Sequence, residues 1–97
     1  LYKGIKFDSK KELNRYLILE QMQMKNYISK LEVHPVYPLL VNGIKIGRYT
    51  ADFKYKNKDG EEIIEDVKSK ATITRDYVLR KKILATYNPP IIITEVI

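Results

Sequence analysis

Two aspartates and a lysine are the residues of this chain whose types and spacing best suit chemistry. Asp66 and Lys68 close a stretch, Glu61 to Lys68, that has the alternation of a β-strand. Because side chains at i and i+2 share one face of a strand, we expect the carboxylate and the ammonium ~6–7 Å apart on the same side. Asp52 lies in the preceding strand pattern, which a hairpin would bring across from them. The sequence therefore predicts two carboxylates and one ammonium on one sheet face.

A bound divalent cation would explain why these charges are placed together. Like charges on adjacent strands repel, and a charge among apolar residues needs a partner. Mg²⁺ on Asp52 and Asp66, with Mn²⁺ as a substitute, would offset the repulsion. Lys68 would then neutralise a scissile phosphate or position the attacking water. The alternative is a solvated sheet face with an ion pair between Lys68 and an aspartate, which is the commoner meaning of so short a motif.

Length and composition limit the classes of protein to consider. The 97 residues are enough for one domain, residues 1–97, with a single modest core. There is no cysteine, which excludes disulfides and thiolate metal sites. No apolar run has the length of a membrane span and no signal peptide is recognisable, so we expect an intracellular protein with no membrane partner.

The charge balance favours a polyanionic partner. Eighteen Lys and Arg against twelve Asp and Glu give a net charge of +6, which promotes binding to phosphates by counterion release. Each individual basic residue could equally be a solvated surface charge. The candidate phosphate contacts are Arg48, Lys70, Arg75, Lys81 and Lys82.

The first predicted element is a helix that begins at a capping box and ends near Tyr27. Ser9 and Glu12 have the capping-box spacing, and apolar residues then recur at helical spacing. Glu12 is either the reciprocal cap or a carboxylate that reaches toward the aspartates. Glu20, two turns further on, is the weaker candidate for that role.

Three antiparallel strands and their turns are predicted next. Asn42-Gly43 is a strong hairpin signal, and Asn57 to Gly60 supplies a second reversal. Two prolines indicate that the first strand is irregular or at an edge, and Gly47 marks a bulge in the second. The strands of this meander are Leu31–Val41, Ile44–Tyr55 and Glu61–Lys68.

A second helix and a final strand complete the fold. The helix runs from about Arg75 to Thr86, and Asn88-Pro89-Pro90 ends it. Residues 91–97 are almost all β-branched, which is typical of a strand buried on both faces. A strand, a crossover helix and a second strand imply parallel pairing with Glu61–Lys68. The predicted fold class is α/β, with an αβββαβ order and a mixed sheet flanked by two helices.

The order of these elements and motifs resembles the PD-(D/E)XK nuclease superfamily. Within it, the chain is most similar to a group of small phage and prophage proteins whose role is unsettled. The resemblance covers nearly the whole chain. It is carried by FDSKKELNRY at Phe7–Tyr16, HPVYPL at His34–Leu39, GRYTADFKY at Gly47–Tyr55, IEDVKS at Ile64–Ser69 and YVLRKKIL at Tyr77–Leu84.

The resemblance implies a restriction-endonuclease-like fold and a role for each site residue. Asp52, Asp66 and the Val67 carbonyl would bind metal, Lys68 would be the catalytic lysine, and Glu12 would complete the site. The acid before Lys68 is Asp where the superfamily more often has Glu.

His34, the only histidine, stands where similar sequences often carry Gln. We keep it as a substrate contact only.

The expected activity is a Mg²⁺-dependent DNA endonuclease that serves phage or prophage DNA metabolism, such as recombination, repair or branched-DNA processing. The expected location is the cytoplasm of a bacterial host. A nucleic-acid-binding module that keeps the fold without cleavage is the first alternative, and an interaction protein with a structural acidic pair is the second. The DNA form that is cut and the formation of a homodimer stay open.

Overall fold

The structure is a computed structural model that describes all residues, 1–97. It confirms the α/β class: two helices flank a mixed sheet whose last strand is parallel. Neither helix is long and apolar enough to cross a membrane. The elements are α1 Lys10–Met24, β1 Ser29–Val33, β2 Val36–Val41, β3 Ile44–Thr50, β4 Phe53–Lys56, β5 Glu62–Val67, a 3-10 turn Lys70–Thr72, α2 Arg75–Ala85 and β6 Ile93–Val96.

Helix α1 begins where the sequence predicts, but only half of the capping box forms. The Ser9 hydroxyl accepts the N–H of Glu12 at 3.1 Å. The Glu12 carboxylate does not return to Ser9, since it is hydrogen-bonded to His34. The helix ends at Met24, three residues before the predicted Tyr27, because Asn26 adopts a positive φ of 63° and reverses the chain.

The predicted meander is correct near β5, but two of its strands are broken. The main sheet has the order β1-β4-β5-β6, whereas β2 and β3 pair only with each other. We call the β2–β3 hairpin, Val36–Thr50, the ribbon. The single strands Leu31–Val41 and Ile44–Tyr55 are therefore wrong as predicted, since each supplies one strand to the main sheet and one to the ribbon.

The two breaks face each other. His34 has a positive φ of 56° just before Pro35. The Ala51 N–H donates to the Pro35 carbonyl at 3.0 Å, and the His34 N–H donates to the Asp52 carbonyl at 3.0 Å. The backbone groups that leave the regular ladders are thus satisfied across the breaks, which is why the irregularity is tolerated inside the fold.

Both predicted hairpin turns are confirmed. Asn42 and Gly43 have φ values of 50° and 79°, as a tight two-residue turn requires. The Asn57 side chain accepts the N–H groups of Asp59 and Glu61, at 3.0 and 2.9 Å. The bulge predicted at Gly47 is also present.

In the ribbon, Leu39 pairs with Gly47 but Leu40 pairs with Lys45. Ile46 is therefore the extra residue of this bulge.

Strand β6 pairs parallel to β5 as predicted, but its burial differs from the prediction. It is the edge strand of the main sheet, Thr94 is exposed, and the adjoining Ile92 is 62% exposed. Only one face of β6 contributes to a core, through Ile93. The prediction of a strand buried on both faces is wrong, because no helix covers the second face at this edge.

Two apolar clusters lie on opposite sides of the main sheet. Residues of α1 pack with Phe53 and Tyr55, whereas residues of α2 pack with Tyr49 and Ala51. All four are buried, and they alternate along the chain, yet they belong to different cores. The break at Asp52 explains this, since the chain changes sheet there and the regular alternation of faces is interrupted.

Candidate functional site

A cleft of about 600 Å³ lies where the ribbon, the end of β5 and the start of α2 meet. The three residues singled out from the sequence, Asp52, Asp66 and Lys68, all line it. The other lining residues are Asp8, Arg48, Tyr49, Thr50, Thr72, Thr74, Asp76, Tyr77 and Arg80. The predicted convergence on one side of the sheet is therefore present in the structure.

The two aspartates hold each other through main-chain hydrogen bonds. The Asp52 N–H donates to Oδ1 of Asp66 at 2.9 Å, and the Val67 N–H donates to Oδ2 of Asp52 at 2.7 Å. Asp66 is only 2% exposed, and its second carboxylate oxygen, Oδ2, has no hydrogen-bond partner. A buried oxygen without a partner is rare, because the desolvation of the group is then uncompensated.

Burial raises the pKa of both aspartates. The pKa of Asp52 and that of Asp66 are each raised from 3.8 to about 6, chiefly because water is excluded. The negative charge of Glu12 adds to the rise, whereas the main-chain hydrogen bonds and the Lys68 ammonium oppose it. Two ionised carboxylates are thus held at an energetic disadvantage near neutral pH, and a bound cation would relieve it.

Lys68 reaches the cleft without forming an ion pair. Its N–H donates to the Val96 carbonyl at 2.8 Å, which fixes the end of β5. The Lys68 ammonium lies 4.2 Å from the centroid of the Tyr77 ring, a cation–π contact, and no carboxylate oxygen is within salt-bridge distance of it. The alternative of an ion pair between Lys68 and an aspartate is therefore not observed.

Glu12 and His34 lie beside Asp52, on the side of the two aspartates that faces α1. Oε1 of Glu12 lies 2.8 Å from Nε2 of His34. Ligand atoms of Glu12, His34 and Asp52 all lie within 4.8 Å of one another. Of the two glutamates weighed from the sequence, Glu12 is the one that reaches this group. Glu20 instead accepts hydrogen bonds from Tyr2 and Lys3.

His34 is the residue whose importance the sequence underestimates. The sequence indicates a substrate contact only, yet the His34 side chain is hydrogen-bonded to Glu12 and its main-chain N–H donates to the Asp52 carbonyl. Besides the resemblance, which places it where Gln is often found, the available signal is its position before Pro35, where the strand pattern is interrupted. That signal marks an irregular backbone and does not reveal which side chains will meet there.

Few of the predicted phosphate contacts lie at the cleft. Arg48 lines it, and Lys70 is exposed in the 3-10 turn that follows Lys68. Lys81 is ion-paired with Glu95 at 3.4 Å, and Arg75 and Lys82 line a separate hollow of α2. Arg80, which sequence reasoning missed, lines the cleft and is ion-paired with the exposed Asp76 at 3.1 Å.

Another buried acid, Glu65, faces the opposite side of the main sheet. It is 2% exposed and receives two hydrogen bonds from Arg15, at 2.9 and 2.7 Å, and one from the Tyr55 hydroxyl. Its charge is therefore compensated, in contrast to that of Asp66. The hydrogen-bonding capacity of Glu65 is therefore used within the fold, whereas Asp66 keeps one oxygen without a partner.

The chain belongs to a family described as "Protein of unknown function (DUF1064)", whose model matches residues 1–95. No curated protein and no solved structure matches the chain. Membership of this family covers almost the whole sequence and assigns no activity.

Proposed function

We propose that the protein is a metal-dependent DNA endonuclease of the PD-(D/E)XK type, with a restriction-endonuclease-like fold. The observation that carries this proposal is the buried, unpartnered Oδ2 of Asp66, a residue that lines the cleft together with Asp52 and the unpaired Lys68. A purely structural carboxylate would be compensated as Glu65 is.

The donor set fits a divalent cation. Asp52 and Asp66 supply carboxylate oxygens, which Mg²⁺ and Mn²⁺ both accept. Glu12 and His34 offer further ligand atoms within 4.8 Å of one from Asp52. The Val67 carbonyl remains a proposed ligand, and the N–H of the same residue already fixes Asp52. When bound, the cation would stabilise negative charge on phosphate and lower the pKa of a water.

The chain's own residues would orient the phosphodiester for hydrolysis. Lys68, held over Tyr77, places a positive charge beside the two aspartates, where it can contact a phosphate oxygen or a water. Glu12 keeps His34 in place and contributes a carboxylate that can hold water. Arg48 and Arg80 line the same cleft and can contact phosphates on either side of the cut.

Metal binding and cleavage test this proposal together. Calorimetric titration with Mn²⁺ or Mg²⁺ should show one or more sites in the wild type and none in Asp66→Ala or Asp52→Ala. Asp59→Ala is the matched control, because Asp59 is an exposed acid in the β4–β5 turn.

In assays with Mg²⁺ or Mn²⁺, the wild type and Asp59→Ala should cleave linear or branched DNA, whereas Asp66→Ala and Asp52→Ala should not. If the wild type binds DNA but does not bind metal and does not cleave DNA, the protein is a non-catalytic nucleic-acid-binding module. A wild type that binds neither DNA nor metal would favour an interaction protein.

A further inference from the structure

The ribbon is a projecting element whose position is fixed. Its strands pair with no strand of the main sheet. Leu39 and Tyr49 on its inner face are buried in the core beneath α2. The Tyr87 hydroxyl donates to the Pro38 carbonyl and accepts the Leu40 N–H at 2.8 Å, so β2 is tied to the chain after α2. The outer face is consequently presented in a defined orientation.

The outer face of the ribbon continues the wall of the cleft. Cross-strand partners on this face are Val36 with Thr50, Pro38 with Arg48 and Leu40 with Lys45. Thr50 and Arg48 line the cleft. Lys45 lies three residues beyond Arg48, ~10 Å at strand rise. The bulge at Ile46 is what brings Lys45 to the same face as Arg48, since a regular strand would place them on opposite faces.

The charge of this segment complements a polyanion. No Asp or Glu occurs from Val33 to Ala51, whereas Lys45 and Arg48 are both exposed. Neither of them forms an ion pair in the structure. The unpaired side chains of Lys45 and Arg48 thus lie in a row that leads away from the aspartates.

The remaining exposed side chains favour a duplex over a single strand. Single-strand binders stack bases on exposed aromatic rings. The rings of the ribbon are turned inward, since Tyr49 is buried and Tyr37 is half-buried in the α2 core. What the end of the ribbon exposes is apolar and aliphatic: Ile44 is 67% and Ile46 is 58% exposed. Aliphatic side chains suit contact with base edges and methyl groups in a groove that admits a two-stranded ribbon.

We propose that the ribbon lies in the major groove of double-stranded DNA. Lys45 and Arg48 contact phosphates along the groove wall, and Ile46, the extra residue of the bulge beside Lys45, approaches base edges. The proposal rests on the proposed nuclease function for the cut itself, and it specifies that the substrate has a duplex arm next to the cleaved phosphate.

The test measures binding without cleavage. Fluorescence anisotropy with a labelled duplex and with the single strand of the same sequence, in EDTA, compares the wild type with Lys45→Ala and Ile46→Ser. Lys25→Ala, an exposed lysine at the end of α1, is the control. Both ribbon variants should weaken duplex binding several-fold and leave single-strand binding unchanged. Lys45→Ala should also reduce the salt slope of duplex binding by about 1.

Three results would overturn this proposal: no duplex binding by the wild type, equal losses for duplex and single strand, or a loss equal to that of Lys25→Ala. A ribbon variant that turns a dimer into a monomer in sedimentation, with DNA binding unchanged, would identify the ribbon as a contact between copies. Duplex binding through the ribbon without any cleavage would instead refute only the nuclease function. If the wild type cleaves DNA and the ribbon variants bind duplex as the wild type does, only the present proposal is refuted.

Discussion

Replacement of Asp66 by asparagine should stabilise the metal-free protein at neutral pH. Asn keeps an oxygen that can accept the Asp52 N–H, now bonded at 2.9 Å, and removes the buried negative charge. The atom replaced by the new amide nitrogen is Oδ2, which has no hydrogen-bond partner to lose. The change therefore removes the buried charge, although the new amide nitrogen also brings two N–H donors to the position of Oδ2.

The pKa shift sets the magnitude. The pKa of Asp66 is raised from 3.8 to about 6, and each unit corresponds to about 1.4 kcal/mol. Because Asp52 shares the same environment, we expect a gain of roughly 1–3 kcal/mol in the free energy of unfolding rather than the full shift. A raised folded-state pKa means that the stabilisation from protonated Asp66 is fully present below 3.8 and is lost as the pH rises through about 6. The advantage of the variant should thus be near zero at pH 4 and complete at pH 7.5.

Urea denaturation in EDTA at several pH values measures this difference, with Asp59→Asn as the matched control. Addition of Mn²⁺ at about 1,000 times its dissociation constant should then reverse the order, because a ligand at that concentration stabilises the wild type by about 4.1 kcal/mol and the variant lacks a ligand atom. A variant that is less stable than the wild type at pH 7.5 in EDTA would refute the reasoning. It would show that the hydrogen bonds to the Asp66 carboxylate stabilise the fold by more than the burial of its charge destabilises it.

Four further substitutions test the remaining assignments. In calorimetry, Lys68→Ala should bind Mn²⁺ as the wild type does. It should cleave DNA ~10²–10³-fold more slowly, by analogy with the loss of an oxyanion donor. An unchanged cleavage rate would show that Lys68 is not part of the site. Ser9→Ala should lower the stability by ~0.5–2 kcal/mol in urea melts through loss of the helix cap, whereas Glu12→Gln should melt near the wild type but need more metal for cleavage. Arg15→Ala should cost ~3–5 kcal/mol in the same melts, because Glu65 would be left buried without its partner, and a loss below 1 kcal/mol would mean that water replaces the guanidinium.

Local sequence signals predict the start of each helix, both hairpin turns and the position of Asp66 and Lys68 at one cleft. The caps, the turn residues and the strand alternation act over a few residues, so Ser9, Asn42-Gly43 and the 66/68 spacing could be interpreted directly. The parallel last strand also followed from chain order, and the structure confirms it.

Contacts between the two strand breaks, which are far apart in the sequence, could not be predicted from local patterns. The strands end at His34-Pro35 and at Ala51-Asp52 because these two irregular segments bond to each other, a pairing that no local pattern encodes. The same contact brings His34 to Glu12 and Asp52. Likewise, the compensation of Glu65 depends on Arg15, fifty positions away in the chain.

The separation of the ribbon from the main sheet has a consequence for how such a protein can diversify. Since β2 and β3 exchange ladder hydrogen bonds only with each other, the hairpin can change its length or its tip without breaking a ladder bond of the β1-β4-β5-β6 sheet. Its anchors are the inner-face residues and Tyr87, all near its base or its middle. We therefore expect insertions and substitutions at the tip to leave the main sheet and the position of the carboxylates unchanged.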